Sequence, residues 1–124
     1  MALRLSQSPT YRWPVKVVLP TDGGRHETFT FDAEFRRLKQ SRIAELVEVS
    51  QRRQRGEVLE GDEDMSDVDM LDEIMAGWDG IEDDDGEAIA FSRVNLARLC
   101  ELPTVAAQIM QAFIGSLQKA KAKN

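Results

Sequence analysis

Residues 11–38, YRWPVKVVLPTDGGRHETFTFDAEFRRL, alternate apolar and polar side chains on either side of a glycine pair. Tyr11, Trp13, Val15, Val17 and Leu19 share one parity, and Phe29, Phe31, Ala33 and Phe35 share another. A period of two puts such residues on one face of an extended chain, so the stretch reads as two strands, each with one buried face. Between them lies Pro20-Thr21-Asp22-Gly23-Gly24, where proline ends the first strand and the glycines admit positive φ. A long antiparallel hairpin, roughly 11–19 with 26–37, is therefore expected. Pro14 has no amide donor and belongs at the strand start or facing an open edge. A helix starting at Asp32 and using Phe35 and Leu38 competes for the same residues, but the unbroken alternation from Phe29 to Phe35 favours the strand.

Beyond residue 38 the spacing turns helical. Ser41 is placed to cap a helix over 41–55 whose apolar positions are Ile43, Leu46 and Val47, with Arg52, Arg53 and Arg55 near its negative end and Gly56 as its stop. Residues 56–65 are polar and without period, and read as an acidic loop. Ser66 followed by Asp69 is a capping-box variant opening a helix over 66–76, with Val68, Leu71, Ile74 and Met75 on one face and Gly77 breaking it. Residues 78–91 read as an irregular segment or short two-stranded ribbon, Ile81 on one side and Ile89 and Phe91 on the other, turned at Asp85-Gly86. Over 92–118, Ser92 and Thr104 cap two helices separated at Pro103, and 119–124 form a fraying basic tail. The expected fold is α+β, a single domain: an N-terminal hairpin followed by about four helices.

Residues 57–87 hold fifteen carboxylates and no Lys or Arg. Basic residues exceed acidic ones by five over 1–56 and by four over 88–124, so the net charge of −6 hides a basic–acidic–basic order. Such an order suits electrostatic docking, and equally a solvated acidic segment. The acidic balance argues against nucleic-acid binding through phosphates, and the short basic patches carry no interleaved aromatics. No apolar run approaches the ~18 residues that span a bilayer. No apolar leader is visible, so no secretory signal is expected. The single Cys100 is expected to be a buried, inert thiol, consistent with a reducing, cytoplasmic setting.

Catalytic chemistry finds little to work with. His26 is the only histidine, which leaves no zinc ligand set and no base for a Ser or Cys nucleophile. If Gly86 takes the turn position of an EF-hand loop, Ile81 and Ser92 fall where Asp and Glu ligands are required. Neither a catalytic residue nor a metal or other cofactor is expected, although an acidic Ca²⁺-binding regulatory module and a DNA mimic stand as alternatives. What remains is surface. Trp78 is either a core anchor pinning the irregular segment or a partner-binding aromatic, the anchor being favoured. The last helix, with Val105, Ile109, Phe113 and Leu117 four apart, reads first as core packing. Met65, Met70, Met75 and Met110 would suit an adaptable groove for another helix.

Trp78-Asp79-Gly80-Ile81, then Asp85-Gly86-Glu87-Ala88-Ile89-Ala90-Phe91-Ser92, then Asn95-Leu96, resemble the tail assembly chaperones of long, non-contractile-tailed bacteriophages and prophages. The upstream run Val17-Val18-Leu19-Pro20, Gly24, Phe29-Thr30-Phe31, Phe35-Arg36-Arg37-Leu38 and Ile43-Ala44-Glu45-Leu46 is similar to these proteins as well. Ala88 and Ala90 stand where many relatives carry proline. The resemblance implies a non-enzymatic factor that binds the long, helical, aggregation-prone tape measure protein and helps recruit tail tube subunits to it. It further implies work in the host bacterial cytoplasm, absence from the finished virion, and a tendency to self-associate into a homo-oligomer. In many relatives a programmed frameshift appends a second domain, and an A-rich codon run at Lys119–Lys123 would permit it here. The candidate partner-binding residues are Trp78, Ile81, Phe91, Ile109 and Phe113. A structural tail-completion or head–tail joining protein is the alternative within the same biology.

Overall fold

The computed structural model describes residues 1–57 and 65–118; most of the expected acidic loop and the whole basic tail lie outside the described residues. Among the described residues seven elements follow in order: β1 (Thr10–Thr21), β2 (Arg25–Arg36), α1 (Gln40–Gln54), α2 (Asp67–Ile74), β3 (Met75–Asp79), α3 (Arg93–Cys100) and α4 (Val105–Ser116). The fold is α+β, with the expected N-terminal antiparallel hairpin.

The hairpin register pairs Tyr11 with Phe35, Val15 with Phe31 and Thr21 with Arg25. Gly23 and Gly24 turn the chain at φ 80° and 76°, which side-chain-bearing residues rarely adopt. Opposed residues share a face, so the two alternating series form one apolar surface on which Val15, Ala33 and Phe35 are fully buried. The other face, with Arg12, Lys16, Thr28, Thr30 and Asp32, is exposed, as suits an antiparallel sheet with one wet side. The helices supply Leu46, Leu71, Ile74, Leu96, Ile109 and Phe113 to the core. Phe35 lies at its centre, edge-on to Tyr11 at 5.9 Å and to Phe113 at 5.2 Å between ring centroids.

β1 is an edge strand, and α4 covers part of that edge. Gln108 accepts from Val18 N at 2.7 Å and donates to Val18 O at 2.9 Å, so its amide takes the place of a neighbouring strand. These bonds show that residues of Val18's parity turn their backbone groups outward. Pro14 has the same parity, so its missing donor falls on the open edge. At the other end of α4, the Tyr11 and Ser116 hydroxyls share a hydrogen bond of 2.7 Å. Helix and strand therefore run side by side in opposite directions.

Three local expectations change. The helix expected over 66–76 ends at Ile74, and Met75–Asp79 forms a third strand that the sequence reading missed. β2's free edge makes it a strand: Asp79 pairs with Asp32, Trp78 with Ala33 and Gly77 with Glu34, and a bulge at Glu34/Phe35 brings Met75 opposite Phe35. The first helix starts at Gln40 with Lys39 at the cap position, so Ser41 lies inside the first turn instead of capping it. Thr104 does precede α4, but at φ 69°, and its hydroxyl accepts from Gln108 Nε2 at 3.0 Å instead of capping a backbone amide. Ser66 and Ser92 cap as read, Ser66 with the full capping box to Asp69.

Candidate functional site: an apolar groove with an acidic rim

The helical layer is shorter than the hairpin. α4 begins at Val105, just under one turn before the Gln108 that bonds Val18, and beyond it the apolar face of the hairpin loses its cover. Leu19 there is half-buried and Phe29 is 47% exposed. Leu99 and Leu102, from the end of α3 and its connection to α4, line one wall together with Ile81. Together they bound an open groove of about 280 Å³. Gly80, at φ 99° and packed on Phe31, lets the chain leave β3 and bring Ile81 to that wall.

Ile81 opens a short ribbon. Ile89 N donates to Ile81 O at 3.0 Å and Asp83 N to Glu87 O at 2.9 Å, with Gly86 at the turn. Asp83 Oδ1 accepts from the Asp85 and Glu87 amides at 2.9 and 3.0 Å and fixes the tip. Trp78 pins the ribbon to the sheet: its Nε1 donates to Ile89 O at 2.9 Å, and its ring meets Phe91 edge-on at 5.1 Å. Asn95 Nδ2 donates to Ala90 O at 2.8 Å and ties the ribbon's exit to α3. The Trp, Phe, Ser and Asn of the resembling stretch are thus the residues that build the ribbon and its junctions.

The acidic segment divides in two. On α2 the carboxylates are held by arginines of the flanking helices. Arg42 meets Glu73 at 2.8 Å, Arg53 meets Asp67 at 3.2 Å, and Arg93 meets both Asp69 and Asp72, the latter at 3.3 Å. Arg93's hydrogen bond, helped by the Ser66 backbone amide and hydroxyl, holds the Asp69 carboxyl down at about 2. Arg42 lowers Glu73 in the same way. Two of these residues, Asp67 and Asp69, also lie in the first turn of α2, where negative charge suits the helix dipole. On the ribbon, Glu82, Asp83, Asp84, Asp85 and Glu87 have no ion-pair partner among the described residues, and Glu82 borders the groove.

The five sequence candidates separate accordingly. Trp78, Ile81 and Phe91 come together at the ribbon, Ile81 in the groove wall and the other two half-buried behind it. Ile109 and Phe113 are 0% and 1% exposed and belong to the core, so they offer no surface to a partner in this conformation. The methionine groove does not form as expected: Met75 is buried in the core, while Met70 and Met110 floor a smaller cleft of about 220 Å³ between α1, α2 and α4. Leu19, Phe29, Leu99 and Leu102 were missed as groove residues. For Leu19 and Phe29 the one signal was that the hairpin alternation runs further than an α-helix of twelve residues can cover.

Among the described residues no group of three His, Cys, Asp or Glu side chains is arranged to hold a metal. The Cys100 thiol is half-buried and pushed up to about 11, chiefly by burial, which keeps it protonated. Among the described residues no helix is long and apolar enough to cross a membrane. A small α+β fold with an open apolar groove, beside carboxylates that have no ion-pair partner among the described residues, has the equipment of a binding module. A family model described as phage tail assembly chaperone matches residues 1–124. The chain belongs to that family. No curated protein and no solved structure matches it.

Proposed function

We propose that this protein binds the tape measure protein of its phage and helps bring tail tube subunits to it during tail assembly. Membership of the tail assembly chaperone family over the whole chain carries this reading. The groove and ribbon support it physically: a chaperone for a long helical client needs adaptable apolar surface, charge that opposes self-collapse, and no reactive group. Ile81, Trp78 and Phe91 form the proposed client-facing patch, and Ile109 and Phe113 serve it from behind by fixing α4. The work is non-enzymatic, takes place in the host cytoplasm, and leaves no copy in the finished virion.

Co-expression with the tape measure protein of the same phage tests the reading, with solubility and co-elution on size exclusion as readouts. The tape measure protein is expected to stay soluble only alongside this chain and to travel with it. A client that remains insoluble, while this chain elutes alone and is found in purified particles, would make it a tail-completion or head–tail joining component instead.

A further inference from the structure

The two edges of the sheet are finished differently. On β1 the residues whose backbone groups point outward are Arg12, Pro14, Lys16, Val18 and Pro20. The prolines have no donor, Val18 is held by Gln108, and Arg12 and Lys16 set charged side chains along the rest. These are the devices that keep an edge from pairing with another chain. In an antiparallel pair, opposed residues either bond each other or both face away. Val18 faces away, so its partner Thr28 on β2 does too, and so does His26 opposite Pro20. β3 pairs with residues 32–35 of β2, and Gly80 packs on Phe31 beside Thr30 before Ile81 O turns off to Ile89 N. Residues 25–29 are left without a neighbouring strand among the described residues, and their outward positions carry neither proline, lysine nor arginine.

We propose that this open edge of β2 takes an extended segment of the tape measure protein as an added strand; the proposal rests on the reading of the client given above. A helix satisfies its own backbone groups and gains nothing from a bare edge, whereas an extended segment supplies the partners that His26 and Thr28 lack. The adjoining groove fits the same occupant. At about 280 Å³ it lies below the usual span of ligand pockets and has room for a side chain or two, not for the face of a helix. Side chains of an added strand alternate, so the one opposite Phe29 shares its face and enters the groove toward Ile81 and Leu102. The next on that face lies opposite Glu27. Around this end Glu27, Glu82 and Asp84 outnumber Arg25 and Arg98, so that position calls for Lys or Arg. The recognised pattern is an apolar residue and a basic residue two apart, in a stretch of client that has not yet become helical.

Two proline substitutions test this in the full chain co-expressed with the tape measure protein. Thr28→Pro removes the outward donor from the open edge of β2. Lys16→Pro makes the same backbone change on the guarded edge of β1, and neither amide bonds within the hairpin. Lys16→Pro is expected to hold the client in solution as wild type does, and Thr28→Pro to capture at least about tenfold less of it, with circular dichroism reporting the fold of both. Hydrogen exchange over residues 25–29, read by mass spectrometry, is expected to slow when the wild-type chain holds the client. If Thr28→Pro does not fold, the exchange measurement decides alone. Capture by folded Thr28→Pro equal to wild type, or exchange over 25–29 that the client leaves unchanged, would overturn the added strand while leaving the proposed function standing. A client that stays insoluble with every form, wild type included, would remove the proposed function and the strand with it.

Discussion

Asp69 shows how much one short-range pattern can reveal and where it stops. Ser66 followed three residues later by an acid announces a helix start, and the structure closes both bonds of that box. The pattern cannot show that the same carboxylate also meets Arg93, which lies twenty-four residues away. That pairing gives Asp69 a pH signature. An unfolded chain titrates Asp near ~3.9, whereas in the fold it is held to about 2. A lowered value means that Asp69's contribution is full above the unfolded value and is lost as pH falls through the folded one. Thermal melts from pH ~6 down to ~2 should therefore show wild-type Tm falling below pH ~4. Asp69→Asn should lower Tm at neutral pH and flatten that acid limb. Because the carboxylate is substantially solvent-exposed, the effect is expected to be modest. An unchanged acid limb in the variant would remove Asp69 from the acid response.

At the scale of elements, legibility followed the length of the repeating pattern. The hairpin was readable because its alternation runs across both twelve-residue strands around a glycine turn. The five-residue β3 was not: it contains Gly77, lacks a clean alternation, and is a strand because β2 offers it an edge. The last helix was readable as an element with an apolar stripe, and its stripe residues Ile109 and Phe113 lie buried in the core. This decides how α4 substitutions are to be interpreted. Phe113→Ala removes a ring packed against Phe35 and should cost about 3–5 kcal/mol of stability in denaturant unfolding, much of what a domain of this size has. Any client-binding defect in that variant would follow from unfolding. Loss of client capture by Phe113→Ala with an unshifted unfolding midpoint would instead show that α4 opens to receive the client.

The charge order was legible across the whole molecule, but its division was not, because pairing along α2 depends on arginines brought in from α1 and α3. Carboxylates already matched within the chain have little to offer a partner. The ribbon carboxylates have no ion-pair partner among the described residues, Glu82 borders the apolar groove, and Arg98 lines the adjoining cleft with Glu82 and Asp84. Screening then separates the two contributions. The Debye length shrinks from about 10 Å at 0.1 M salt to about 3 Å at 1 M, which removes long-range attraction and leaves apolar contact in place. Capture of the tape measure protein by wild-type chain should therefore slow markedly with added salt. Glu82→Gln/Asp84→Asn/Asp85→Asn should capture it more slowly at low salt and with a flatter salt dependence, while its dissociation, governed by the groove, changes little. Stopped-flow association at several salt concentrations measures both. Wild-type capture that is indifferent to salt would mean that the ribbon charges serve only to keep this chain soluble and that the client is held by apolar surface alone.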